Sequence, residues 1–153
     1  MKGGGLLLGG SAMVGVASAT PRNFNAHMSS DAHDEPETNA QGQVNFQLRN
    51  DELSFRLIVA SIEDVTMGHI HLESVSGPVS VWLHDFDTGA PFLVEGRANG
   101  VLATGTITDA QVGGPIETVV ELVDEIDDGN AWVNVHTEAF PGGEIGGQIR
   151  SRN

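Results

Sequence analysis

The sequence predicts an all-β domain, an antiparallel β-sandwich or barrel with one short helix. Three observations predict it: short segments in which apolar and polar residues alternate, Gly, Pro, Asn and Asp breaks between those segments, and one stretch of helical periodicity. The 153 residues point to one domain, long enough to hide roughly 68–70% of its unfolded surface.

The N-terminal residues 1–19 read as an export signal. Lys2 gives a positive start, LLLGGSAMVGVASA is apolar and rich in small residues, and Ala17-Ser18-Ala19 fits an A-x-A cleavage site. The stretch is short and glycine-rich for a membrane span, which needs about 20 apolar residues; an uncleaved anchor is the other reading. Residues 20–41, TPRNFNAHMSSDAHDEPETNAQ, are polar and read as a flexible lead-in in which His27 and His33 are solvated and have no role. The domain is then expected over 42–153.

In QVNFQLR, Val44, Phe46 and Leu48 share one face. Asn50-Asp51 signals a turn, and ELSFRLIVA returns with Leu53, Phe55, Leu57 and Val59 inward, so the two segments form a hairpin. GHIHL places Ile70 and Leu72 inward and His69 and His71 outward. After the Ser76-Gly77-Pro78 break, VSVWLH turns Val79, Val81 and Leu83 inward and Ser80, Trp82 and His84 outward. Residues 85–100, DFDTGAPFLVEGRANG, read as a long loop, and VLATGTI resumes as a strand. In PIETVVELVDEI, Ile116, Val119, Val120, Val123 and Ile126 approach helical spacing, and Asp127-Asp128-Gly129 ends the helix. AWVNVHT is a strand with Ala131, Val133 and Val135 inward and Trp132, Asn134 and His136 outward. The turn FPGGE leads to EIGGQIR, with Ile145, Gly147 and Ile149 on one face.

Charge narrows the partners. The net charge is −14, from 21 acidic and 7 basic residues, and Lys2 is the single lysine. Such a surface repels nucleic-acid phosphates and anionic membranes, so neither is expected as a partner. It suits a protein kept soluble in high salt, where the Debye length falls to about 3 Å at 1 M; the composition points to a salt-loving host. With no cysteine, disulfides, thiolate metal ligands and thiol nucleophiles are excluded. There is no G-x-S-x-G elbow, P-loop or dinucleotide fingerprint, and the acidic run Glu125, Asp127, Asp128 lacks the calcium-loop order. No enzyme is expected.

The chemistry that stays open is metal ligation. Residues i and i+2 on a strand project to one side, roughly 6.5–7 Å apart, so His69 and His71 could hold one ion if a further ligand joins them. His136 is the best third candidate; His84 also points outward, and Glu138, Glu144 and Asp85 could supply oxygen. Copper or zinc is the ion such a nitrogen set would take. The competing reading is structural: the pair hydrogen-bonds neighbouring loops, and His136 pins the Gly142-Gly143 turn.

Two blocks, GHIHLESVSGPVSVWL at 68–83 and GNAWVNVHTEAFPGGEIGGQIR at 129–150, resemble the CHRD domain, the module named after chordin. That family shows His-Ile-His followed by Gly-Pro-Val-Val, and a closing Y-V-N-V-H-T…P-x-G-E-I-R-G-Q. Here Trp132 takes the aromatic position and Gly146 replaces the arginine, so any role of that arginine is lost. The resemblance covers about residues 38–150. It implies an extracellular module without established enzymatic activity, with an unknown extracellular or cell-surface ligand as partner. The pattern is also similar to copper,zinc superoxide dismutase, which implies a Greek-key β-sandwich with a His-x-His pair on a strand. Dismutase chemistry does not follow: residues 85–100 carry no histidine for a second metal, and the net charge of −14 opposes steering of an anion.

Overall fold

The computed structural model describes residues 20–34 and 37–152; the export signal expected at 1–19 lies outside the described residues. Eight strands and one helix follow in the order β1 (Arg22–Ser29), β2 (Gln41–Arg49), β3 (Glu52–Leu72), β4 (Val79–His84), β5 (Val94–Ile107), α1 (Val119–Asp127), β6 (Ala131–Thr137), β7 (Ile145–Gln148) and β8 (Arg150–Arg152). Every strand pairing is antiparallel. The all-β class with one short helix is as the sequence predicts.

The expected hairpin is β2–β3, with Val44 opposite Leu57 and Phe46 opposite Phe55. Asn50 and Asp51 sit at φ 49° and 61°, as a two-residue turn matched to strand twist requires. β3 then runs for 21 residues, longer than its sequence pattern suggests. Over Glu52–Ala60 its edges hold β2 and β5; from Val65 to Leu72 it pairs with β6, and from Gly68 with β4 as well. Bulges mark the changeover, where Ser61 and Asp64 take positive φ of 56° and 51°; such bulges bend a strand and raise its twist. Because β3 joins both β2 and β6, the hydrogen bonding runs β3–β2–β1–β7–β6 and back to β3, closing a barrel-like ring.

The core fills this ring. Leu53, Leu57, Ile62, Ile70, Val81, Leu83, Val133, Val135 and Ile145 are fully buried. α1 covers one end. Thr118 and Glu121 form a reciprocal cap at its start, and Gly129 at φ 79° follows its last turn. Its buried face is Val119, Leu122, Val123 and Ile126; Val120, expected inward, is exposed, because Leu122 completes the stripe once the helix starts at residue 119.

Two expectations change. Residues 20–41 are not a flexible lead-in: β1 pairs along its whole length with β2 and buries Phe24, Ala26 and Met28. These three alternate with Asn23, Asn25 and His27, a period-2 signal inside a polar segment. The loop expected over 85–100 ends early, since β5 begins at Val94.

Candidate metal centre

The second half of β3 lies between β4 and β6. His69 stands opposite Trp82 of β4 and Asn134 of β6, while Met67 stands opposite His136. Directly paired residues share a face and diagonal ones are within reach of large side chains. Strand register therefore brings His69, His71 and His136 onto one side, driven there by Ile70, Leu72, Val133 and Val135, which the core claims. One ring nitrogen from each histidine lies within 4.8 Å of the others. The three histidines singled out in the sequence thus lie together.

The face is not open to water. His69, His71 and His136 are only 4%, 6% and 6% exposed. Loops roof it, and the histidines bond them. His71 Nδ1 donates to the Gly77 carbonyl at 2.7 Å, and His136 Nδ1 to the Pro141 carbonyl at 2.9 Å. Gly77 permits this approach: a Cβ there would collide with the Leu72 carbonyl. Asn134, fully buried, donates to the carbonyls of Val75 and Gly142 and meets the His33 ring at 3.1 Å. Gly143, at φ 122°, lets Asn134 and His33 close over the strand.

These bonds fix tautomers. A carbonyl only accepts, so Nδ1 of His71 and of His136 carries the proton and Nε2 keeps its lone pair. His136 Nε2 then accepts from His69 Nδ1 at 3.2 Å. Two imidazole nitrogens on one tetrahedral zinc lie about 3.3 Å apart, because the bonds are about 2.0–2.1 Å long, so this pair already has ligand spacing. His69 alone of the three has no carbonyl fixing its tautomer, which is set only by its bond to His136. Among the described residues, four buried polar side-chain atoms lack a partner, and two are Nε2 of His69 and Nε2 of His71. Orphaned buried nitrogens are costly, and both belong to rings of the three-histidine group.

Electrostatics keeps the rings neutral. Burial, and then the neighbouring His136, His71 and His84, pull the pKa of His69 from 6.5 down to about 3. Burial is also the largest cause lowering His71 and His136, opposed in each by its bond to a backbone carbonyl. Neutral imidazole is the form that ligates.

The other candidates lie apart. His84 donates to the Phe92 carbonyl at 2.7 Å and holds the following loop. The Asp85 carboxylate takes the Thr88 hydroxyl, Glu144 that of Thr137, and Glu138 is exposed. None joins the three-nitrogen group. His33, read as solvated, instead packs on the roof through Asn134 and helps depress His71 and His136. Trp82 was also missed as a neighbour; its ring stands edge-on to His69 with centroids 4.3 Å apart. The register of VNVHT against GHIHL was the one signal that could have placed Asn134 here.

At Gly146, where the family carries arginine, an added Cβ would run into Val75. The roof has therefore settled onto the strand at that point. No helix among the described residues is long and apolar enough to cross a membrane. No curated protein and no solved structure matches the chain at a significant level. The model of the CHRD domain matches residues 24–149, from the first core residue of β1 to the last of the closing segment, and the chain belongs to the CHRD domain family.

Proposed function

We propose that this chain is an exported, non-enzymatic CHRD module that binds copper or zinc through His69, His71 and His136. The observation that carries the reading is the convergence of three buried imidazoles, two of which keep an unpartnered ring nitrogen. The carbonyls of Gly77 and Pro141 supply the outer hydrogen bonds that orient metal-binding histidines. Binding gives the module a fixed roof over the β4–β3–β6 face, which serves a binding or structural role outside the cell. The family and the apolar N-terminal residues support export, to the medium or to the cell surface. The acidic surface supports neither a nucleic-acid partner nor an anionic membrane.

A second reading has its own support. The bonds from His71, His84 and His136 to loop carbonyls would hold the loops without any ion. Elemental analysis of protein purified without an affinity tag, followed by copper and zinc titration, separates the two. Under the metal reading the wild type retains or takes up one equivalent, and the His69→Ala/His71→Ala/His136→Ala variant does not. Equal binding by the two proteins leaves the loop-holding role alone.

A further inference from the structure

We propose that the ion held by the histidine cluster is copper in its cuprous state, bound by three nitrogens and no other ligand. This inference rests on the metal-binding reading above and names the ion. It follows from the charge, number and burial of the donors.

All three donors are neutral imidazoles. Among the described residues no carboxylate joins the group, and the chain has no cysteine. An ion in the cluster therefore keeps its whole formal charge in a site where each ring is at most 6% exposed. The cost of removing an ion from water grows with the square of its charge, so a dication of similar size is penalised about four times as heavily as a monocation. Zinc at three protein ligands completes a tetrahedron with water at an open position, and cupric ion prefers tetragonal sites. Here the Nδ1 bonds to Gly77 and Pro141 tie two rings to the roof, and the same roof covers the face. Among the described residues no further histidine and no carboxylate offers a fourth donor. Cuprous ion is a closed-shell monocation that accepts three-coordination without water. It suits a neutral, closed, three-nitrogen site.

The hydrogen bond between His69 and His136 shows how the site would accept it. A single proton now lies between two nitrogens at 3.2 Å. A cation seated there needs His69 to turn its lone pair inward, and His69 is the ring whose tautomer nothing else fixes. His71, whose Nε2 has no partner, then supplies the third nitrogen from within the same group. No electron transfer is required: the ion enters and stays as copper(I).

The test uses the full chain without its first 19 residues and without a tag, under argon. Copper(I), kept reduced with ascorbate, is titrated in competition with bicinchoninate; zinc(II) and copper(II) are titrated separately against chelating dyes. Copper(I) should bind one equivalent at least about 100-fold more tightly than zinc(II), as expected where a buried neutral donor set discriminates by ion charge. It should quench the emission of Trp82, which touches His69. X-ray absorption on the copper-loaded protein should count three nitrogens at about 2.0 Å. His71→Gln should cut copper(I) affinity, and His27→Ala, at an exposed position of β1, should not. Zinc bound as tightly as copper(I), or four scatterers at the copper, overturns the cuprous assignment and leaves the metal reading standing. Binding of no ion above the triple variant overturns both. Should the triple variant not fold, His71→Gln and the absorption spectrum of the wild type decide alone.

Discussion

The two halves of β3 obey one sequence rule and end in different environments. Over Glu52–Ala60, apolar residues alternate with polar ones, and burial alternates with them: Leu53, Phe55, Leu57 and Val59 are buried, while Glu52, Ser54 and Arg56 are exposed. Over Gly68–Leu72 the alternation persists in the sequence, but every residue is buried. The difference lies outside the strand. The first half has only the core on one side; the second has a core on one side and a roof of loops on the other. Polar residues under a roof must find partners or keep the ability to bind something, and those at His69 and His71 do both.

The comparison can be broken at its apolar half first. Leu57 is fully buried, so Leu57→Ala should cost about 2–5 kcal/mol, read as a lowered denaturant midpoint. A loss under about 1 kcal/mol would mean that the closed ring does not depend on this half for its core. Next comes the roof. Asn134→Ala removes the donor to the Val75 and Gly142 carbonyls and the partner of His33. It should cost about 1–3 kcal/mol, because buried partners are left unpaired, and hydrogen exchange should speed up in residues 73–78 and 138–144 while the β2–β3 hairpin stays protected.

Acid sharpens the contrast further. The metal-free protein folds with His69, His71 and His136 neutral, their pKa values lowered by burial. As pH falls the unfolded chain takes up these protons first, at about 6.5. Their contribution to stability is thus complete above about pH 6.5 and is lost progressively below it, towards about 3 for His69. Thermal melts in chelator should show this decline, and the His69→Ala/His71→Ala/His136→Ala variant should show less of it. The smallest effect concerns the open surfaces. Raising salt from about 0.1 M towards molar should raise the melting temperature by screening the net charge of −14. Equal melting temperatures would remove the salt-adapted reading of the composition.

How much of this was legible follows from the same comparison. Period-2 alternation places Val44, Phe46, Leu53, Phe55 and Leu57 correctly because side-chain direction on a strand is a local property. It also aims His69, His71 and His136 to one side. It does not say whether that side meets water, since the cover comes from segments distant in sequence, such as His33 and Gly143. β1 was hidden for a related reason: its short alternation of Phe24, Ala26 and Met28 lies in a polar stretch bounded by Pro21 and Pro36, and its partners β2, β7 and β8 come later in the chain. The helix face was misread by one position, because Val120 and Leu122 fit the spacing nearly equally until the cap at Thr118 sets where the turn begins.

The closure of the ring governs time as well as shape. β1 is held on one edge by β2 and on the other by β7 and β8, so that Ser29 pairs with Gly146 and Asn23 with Arg152. Contacts joining residues so far apart slow folding, because the chain must be brought together before the pairing rewards it. A nascent chain can zip β2 to β3 early, yet β1 keeps one edge bare until the last strands arrive. The domain therefore completes itself late and all at once, and until then its first strand is the edge most exposed to a neighbour.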